Sequence, residues 1–244
     1  MLKGLIEWVT LQGWTGPLYY GFQVLAFICV FIMAVWYGKK LKIGTLKSIV
    51  TFAVVYPLTD LWKRVLFWIE SGFQVFGGEN IVRIFVYVPV IAYFVAVFLK
   101  IERKKMCDFL APLVILSHAV GHIGCIFAGC CQGYPMSWGL YNIQTRTTHF
   151  PTQPLESLVA FAILWYVLYR TKKHNYEPDG LQYPIMLAWF GGTRFLLEFL
   201  RDNEKIFLNI SSLAIHAFFA FVVGVGAYIV MKNKHAVTTA GCKE

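Results

Sequence analysis

Long apolar stretches alternate with short polar loops along this sequence. A helix needs roughly 20 mostly apolar residues to cross the hydrocarbon core of a bilayer. The pattern therefore predicts an all-α integral membrane protein with about seven transmembrane helices, packed as a single domain over residues 1–244. The predicted spans cover about residues 17–37, 49–69, 82–100, 107–129, 154–170, 181–200 and 211–231.

The charges of the loops predict the orientation of these spans. Lysine and arginine collect in alternate loops and after the last span, and short loops of this kind face the cytoplasm. The N-terminus is therefore predicted outside and the C-terminus in the cytoplasm. The positions that carry this signal are Lys39, Lys40, Lys42, Lys47, Arg103, Lys104, Lys105, Arg170, Lys172, Lys173, Lys232 and Lys234.

Composition supports a membrane protein and argues against nucleic-acid binding. Apolar residues make up 58% of the chain and charged residues 14%, whereas a soluble domain carries about 25% charged residues. The net charge of +9 comes from loops beside apolar spans. It therefore reflects membrane orientation, and no nucleic-acid partner is predicted.

The predicted orientation brings polar residues from three distant spans to one membrane depth. The fourth span ends, the fifth begins and the sixth ends at the outer face. Charge inside a membrane is costly and usually faces the bundle interior or a wet cavity, so we expect a polar cavity that opens outward. Its candidate residues are His118, His122, Cys125, Cys130, Cys131, Gln153, Glu156, Arg194, Glu198 and Arg201.

Arg194, Glu198 and Arg201 follow the i, i+4, i+7 spacing of one helical face. A guanidinium binds phosphate through paired hydrogen bonds, and a nearby carboxylate can hold it in place. For Arg194 and Glu198 we favour an anion site. For Arg201 the spacing favours a structural ion pair, or a side chain that extends to the membrane interface.

His118, His122 and Cys125 repeat this spacing in the fourth span. Two imidazoles and a thiol on one face can bind a metal, place a base beside a nucleophile, or simply form buried hydrogen bonds. Cys130 and Cys131 follow at the end of the span. A Cys125–Cys130 bridge, a bridge between the adjacent cysteines and free thiols all remain open.

Glycines surround these cysteines at residues 121, 124, 129 and 133. Glycine permits close helix packing, and it also permits a break in a helix. A broken helix beside a cavity would expose backbone N–H groups that can bind an anion. The sequence does not choose between packing and a break.

Three segments resemble motifs of the prolipoprotein diacylglyceryl transferases. Residues 121–133 resemble the family signature, which reads roughly G-R-x-G-N-F-x-N-G-E-x-x-G. Residues 149–156 resemble its H-P-S/T-Q-L-Y-E segment, and residues 192–201 its late G-x-x-R-F-x-x-E-F-x-R helix. The resemblance extends over about residues 15–232 and matches the predicted topology.

The resemblance implies a multi-pass enzyme of the bacterial plasma membrane with its active site on the extracytoplasmic side. Its lipid donor would be phosphatidylglycerol or a similar anionic phospholipid, and its acceptor a cysteine thiol of a lipoprotein precursor. It implies no cofactor and no metal. We predict catalytic roles for His122, Cys125, Cys130, Arg194 and Glu198, and substrate binding by Gly133, Cys131, Gln153, Glu156 and Arg201.

The signature itself departs from the family pattern. His122 replaces the family arginine, Cys125 the asparagine and Cys130 the glutamate. We expect Arg194 to bind the lipid phosphate and His122 to act as a base or a second cation. One of the three thiols would carry the lipid group covalently or form a bridge. The alternatives are a membrane thiol-redox or metal-binding protein on this fold, and a small transporter.

Overall fold

The computed structural model describes residues 13, 15–70, 72–73, 81–142, 144–203 and 210–240. Within these ranges the chain forms seven helices and one two-stranded antiparallel sheet. In chain order the elements are α1 (Thr15–Lys40), α2 (Thr45–Glu70), α3 (Ile81–Phe98), α4 (Arg103–Ala128), β1 (Pro135–Asn142), β2 (Thr147–His149), α5 (Thr152–Lys173), α6 (Gln182–Glu198) and α7 (Ser212–Ala240).

Three of the described helices are long and apolar enough to cross a membrane. They are α1, α4 and the Ser212–Lys234 part of α7. Their outer surfaces expose many large apolar side chains, including Val24, Ile32 and Phe219. A soluble monomer rarely exposes continuous apolar surface of this kind. The architecture is therefore that of a mainly helical membrane protein, as the apolar pattern predicts.

The short sheet was not predicted. β1 and β2 pair antiparallel, with Tyr141 opposite Thr148 and Asn142 opposite Thr147. They occupy the loop between the fourth and fifth predicted spans, where the sequence shows no long alternation of apolar and polar residues. The hairpin connects the end of α4 to the start of α5, and both of these ends carry candidate site residues.

Helix α4 forms the centre of the bundle, and 78% of its most apolar 18-residue window is buried. Its glycines allow α1 to approach closely. A Cβ atom on Gly124 would lie 3.1 Å from the backbone oxygen of Tyr19. The Gln23 amide donates a hydrogen bond of 3.2 Å to the Gly121 carbonyl. Both alternatives for the glycines therefore apply. Gly121 and Gly124 permit close helix packing, whereas Gly129 caps the end of α4.

Helix α4 ends at Gly129, which caps it in the left-handed conformation at φ 66°. The side-chain amide of Asn142 donates a hydrogen bond of 2.7 Å to the Gly129 carbonyl. Cys131 also has a positive φ of 61°. The backbone therefore turns sharply through the cysteine pair before it enters the hairpin.

Helix α6 is fixed at its start by a buried carboxylate of α4. Asp108 accepts hydrogen bonds of 2.9 Å from the backbone N–H groups of Asp179 and Gly180, and one of 3.0 Å from that of Gln182. A carboxylate at a helix N-terminus satisfies free N–H donors and complements the helix dipole. This contact helps to set the position of α6 and of Arg194 near its other end.

Candidate active site

Glu156 is the centre of a buried ion-pair cluster. Its Oε1 atom lies 2.8 Å from Nη1 of Arg194 and 2.7 Å from Nη2 of Arg201. Its Oε2 atom lies 2.6 Å from Nε2 of His122. One carboxylate near the start of α5 therefore joins α4, α6 and the segment after α6.

A second carboxylate completes the cluster. Glu198 Oε2 lies 2.7 Å from Nη1 of Arg194, and its Oε1 accepts a 2.7 Å hydrogen bond from the Ser211 hydroxyl. The Asn203 amide also donates to Glu198 Oε1. Ser211 and Asn203 are site residues that the sequence analysis missed, because neither shares a helical face or a motif with Glu198.

Arg201 differs from its sequence prediction. Helix α6 ends at Glu198, so Arg201 is not on the helical face that its spacing predicts. It does not extend to the membrane interface either, since only 2% of its surface is exposed. An isolated β-bridge to Gly133 holds its backbone, and the guanidinium turns inward to Glu156. The structural ion pair predicted for Arg201 agrees with this geometry, the extension to the membrane interface does not, and substrate binding by Arg201 stays a prediction.

The 2.6 Å contact with Glu156 favours the His122 tautomer that carries its proton on Nε2, because an ionised carboxylate can only accept hydrogen bonds. Nη2 of Arg201 also lies 3.3 Å from Nε2 of His122, but this Nη2 atom pairs more closely with Glu156 Oε1, at 2.7 Å. The other ring nitrogen, Nδ1, is therefore the one that is left to act as a base or as a ligand.

The three cysteines near this end of α4 form a thiol cluster that consists of Cys125, Cys130 and Cys131. The Cys130 thiol lies 4.0 Å from the Cys125 carbonyl oxygen, and the sulfurs of Cys125 and Cys131 lie within 4.8 Å of each other. All three are free, so the structure contains neither of the bridges that the sequence left open. Two of them come close to the ion-pair cluster, because ligand atoms of His122, Cys125 and Cys131 all lie within 4.8 Å of one another.

The residues that precede Glu156 hold the cysteine turn in place. The Gln153 amide donates a 2.8 Å hydrogen bond to the Cys130 carbonyl, and the Thr152 hydroxyl donates one of 2.7 Å to the Cys131 carbonyl. Gly133 is tightly enclosed, since a Cβ there would lie 2.7 Å from the Cβ of Phe150. Gln153 and Gly133, predicted as substrate-binding residues, thus have clear positioning contacts.

His118 is buried beside this site without a hydrogen bond of its own. Both of its ring nitrogens are buried and lack hydrogen-bond partners. Its ring centroid lies 4.9 Å from that of His122 and 5.0 Å from that of Phe190. Ligand atoms of His118, His122 and Glu156 also lie within 4.8 Å of one another. The hydrogen-bonded structural role considered from the sequence does not describe this histidine.

The polar side chains of the cluster pair with one another inside the bundle. The side chains of His122, Glu156, Arg194, Glu198 and Arg201 are all buried. Two carboxylates balance two guanidiniums, so the cluster is neutral when His122 is neutral. The outward opening expected from the sequence stays a prediction.

An apolar groove of about 470 Å³ runs beside the cluster, between α6 and α7. Gly192 and Thr193 of this groove immediately precede Arg194 in the chain. The remaining lining is almost entirely apolar and includes Trp189, Leu196 and Phe218. An apolar chain bound in the groove would thus lie next to the helix turn that carries Arg194.

Comparisons with known proteins agree with these motifs. A protein of Clostridium tetani named phosphatidylglycerol--prolipoprotein diacylglyceryl transferase is 27% identical over 209 residues, which cover 77% of this chain and 76% of that protein. Proteins of the same name from Dehalococcoides mccartyi and Cupriavidus metallidurans are 22% and 26% identical. Those matches cover 78% and 81% of this chain, and 75% and 82% of the relatives.

The family model described as prolipoprotein diacylglyceryl transferase matches residues 19–231. This range includes all three motif segments and every described residue of the ion-pair and thiol clusters. Since the match extends over most of the sequence, the chain belongs to the prolipoprotein diacylglyceryl transferase family.

Proposed function

We propose that this protein transfers the diacylglyceryl group of phosphatidylglycerol, or of a similar anionic phospholipid, to a cysteine thiol of a lipoprotein precursor. The family membership and the names of the relatives support this transferase activity. The observation that carries the assignment of the site is the buried Arg194, which lies in the family's late helix motif between two carboxylates.

Arg194 has a donor to offer to a phosphate. Both of its ion pairs use Nη1, and its buried Nε has no hydrogen-bond partner. An unsatisfied buried donor is costly unless a ligand satisfies it. A phosphate oxygen would accept from this guanidinium, while Glu156 and Glu198 keep it in place. Arg201 adds a second guanidinium, which pairs with the same Oε1 atom of Glu156.

The apolar groove supports a membrane lipid as the donor. A lipid whose phosphate binds at Arg194 must place its acyl chains along an apolar surface in reach of the same helix. The α6–α7 groove provides such a surface, with Thr193 next to Arg194 and Phe221 on the facing helix. Burial of each CH₂ group contributes about 0.8 kcal/mol relative to water, which favours long-chain donors over free glycerol phosphates.

The transfer reaction breaks one C–O bond and forms one S–C bond. The acceptor thiol loses its proton, and the thiolate attacks the glycerol carbon that carries the phosphate. The electron pair of the C–O bond leaves with glycerol phosphate, which can take up the proton released by the thiol. Arg194 stabilises the charge that develops on the leaving phosphate. His122 belongs to the acceptor side, because it lies beside the thiols of Cys125 and Cys131.

We also propose that all seven described helices cross the membrane, with the N-terminus outside and the active site toward the extracytoplasmic side. The alternating positive loops support this orientation. It places the site where a translocated precursor would arrive. A cytoplasmic reporter fused to the C-terminus should be active, and a reporter that works only outside the cytoplasm should be silent there. The opposite pattern would contradict the orientation.

A transfer assay with purified protein tests the activity and the role of Arg194 together. Labelled phosphatidylglycerol and a lipobox peptide serve as substrates, and both modified peptide and released glycerol phosphate are measured. We expect Arg194→Gln to lower transfer by about two orders of magnitude or more, as for loss of one transition-state donor. Arg103→Gln is the matched control, because Arg103 is an exposed arginine at the opposite end of α4.

The two products separate the possible results. Both products in the wild type, both lost in Arg194→Gln and both retained in Arg103→Gln would support the proposal. No product from the wild type, under conditions where another member of the family is active, would contradict the activity. An Arg194→Gln variant as active as the wild type would contradict the phosphate-binding role, even if transfer itself occurs.

A further inference from the structure

The thiol cluster and His122 bring together the ligand types that a thiophilic metal prefers. Ligand atoms of His122, Cys125 and Cys131 lie within 4.8 Å of one another. A cation at their centre would reach all three after small side-chain movements, since Zn–S bonds are about 2.3 Å and Zn–N bonds about 2.0 Å long. His122 and Cys125 occupy successive turns of α4, and the positive φ of Cys131 belongs to the turn that follows this helix.

A second observation points to a ligand at this place. A metal-binding histidine usually donates its second N–H group to a carboxylate, which fixes the tautomer. The 2.6 Å contact between Nε2 of His122 and Glu156 is that arrangement, and it leaves Nδ1 for a metal.

We propose that His122, Cys125 and Cys131 bind one thiophilic divalent cation with the chemistry of Zn²⁺, and that its fourth position accepts the thiol of the substrate. The second half of this statement rests on the proposed transferase function, whereas the metal site itself does not. It departs from the expectation that the protein needs no metal, and it gives His122 and Cys125, two of the three residues that depart from the family signature, one shared role.

Charge balance favours this site. The four charged side chains of the ion-pair cluster sum to zero, so they neither require nor repel a further cation as a group. Two thiolates from Cys125 and Cys131 neutralise a divalent cation. Cys130 is outside the group of atoms within 4.8 Å, so three protein ligands leave the fourth position open, as in catalytic zinc sites.

The metal would perform the step for which the family needs a base. A thiol that coordinates zinc is deprotonated at neutral pH. With a cation held by His122, Cys125 and Cys131, the acceptor cysteine would release its thiol proton to water on binding and would attack the lipid as a thiolate. The S–C bond would form as the C–O bond breaks, and glycerol phosphate would leave with the electron pair of the C–O bond. No oxidation state changes in this sequence.

The first test measures metal directly. Purified wild-type protein is stripped of metal, loaded with Zn²⁺ in excess, freed of loose metal and analysed by mass spectrometry. About one zinc per chain is expected for the wild type and for Cys107→Ser, and much less than one for Cys125→Ser and Cys131→Ser. Cys107 is the matched control because it is a free cysteine in the first turns of α4, at the end remote from the site.

Cobalt substitution adds a readout of the ligands themselves. Co²⁺ in the wild type should give thiolate charge-transfer bands that weaken in each of the two cysteine variants. A His118→Phe variant should keep these bands, since the phenyl ring replaces the imidazole among Phe85 and Phe190. Zinc should also raise the melting temperature of the wild type and leave that of Cys131→Ser unchanged, which separates lost binding from lost folding.

The remaining outcomes decide against the proposal or separate it from the proposed function. Wild-type protein without bound zinc, or zinc that survives both cysteine substitutions but is lost in His118→Phe, would overturn the site. A cobalt spectrum that does not change when a cysteine-containing peptide is added would overturn the open position. A spectrum that changes, from protein that transfers no lipid, would support the metal site while the transferase function fails.

Discussion

Replacement of Glu156 by glutamine should be among the most destabilising single changes in this protein. Glutamine preserves the shape of the side chain but removes the charge that pairs with Arg194, Arg201 and His122. Arg194 keeps Glu198 at 2.7 Å, while the nearest remaining carboxylate contact of Arg201 among the described residues is 3.9 Å long. Arg201 thus becomes a nearly unpaired buried cation, and loss of one partner of a buried pair costs about 3–5 kcal/mol.

The measurement is thermal or denaturant unfolding of Glu156→Gln, Arg201→Gln and the double variant in one detergent. Each single variant should lose about 3–5 kcal/mol. The double variant should lose less than the sum of the two, with a coupling energy of about 1–3 kcal/mol. Glu177→Gln is the control, because Glu177 forms an exposed pair with Lys42 at 3.5 Å and should cost at most about 1 kcal/mol.

Additive losses would refute the reasoning, since they would mean that Glu156 and Arg201 do not stabilise one another. A Glu156→Gln variant as stable as the control would refute it as well. The double-variant comparison is needed because a single loss of stability can arise from changed packing alone.

Three further predictions concern the framework of the site. Gly133→Ala should lower the free energy of unfolding by about 1–3 kcal/mol and remove much of the transfer activity, because the new methyl group would overlap Phe150. An unchanged melting temperature and unchanged transfer would contradict the tight enclosure of Gly133. Asp108→Asn should lower the melting temperature, at a cost of about 1.5–3 kcal/mol, because its carboxylate accepts three backbone hydrogen bonds; a matched Asp202→Asn variant should melt like the wild type. For Asp179, burial acts to raise the pKa, but hydrogen bonds, chiefly from Arg170, hold this pKa below its usual value of 3.8. Its stabilisation is therefore complete above the unfolded pKa and is lost as the pH falls through the lower folded pKa. Asp179→Asn should reduce the acid sensitivity of unfolding measured between pH 5 and 3, about the usual range of an aspartate, and an unchanged acid profile would contradict this.

The helical architecture could be predicted from the sequence because bilayer thickness sets the required length of each apolar helix independently of the other helices. The spans predicted at 107–129 and 181–200 agree with α4 and α6 to within a few residues. The motif segments likewise identified the late arginine and glutamate without any knowledge of contacts. These features depend on composition and local spacing, which one helix carries by itself.

The arrangement of the site depends on contacts between helices, which no local pattern contains. Arg201 and His122 are 79 positions apart yet lie 3.3 Å from each other. Arg201 comes there because α6 ends before it and a backbone bridge to Gly133 turns the segment inward. The prediction from helical spacing assumed that the helix continues to Arg201, and it therefore placed Arg201 on the helical face of Arg194 and Glu198.

The sequence by itself determined the membrane class, the approximate helices, the family resemblance and the polar residues available for chemistry. Only the tertiary structure decided that Glu156 joins both arginines to His122, that Cys131 accompanies Cys125 beside that histidine, and that the charges close into a neutral cluster. The physical reason is the difference between local and long-range interactions along the chain. Hydrophobic length and helical period are local properties of the chain, whereas ion pairs and ligand sets require the close helix packing that Gly121 and Gly124 permit.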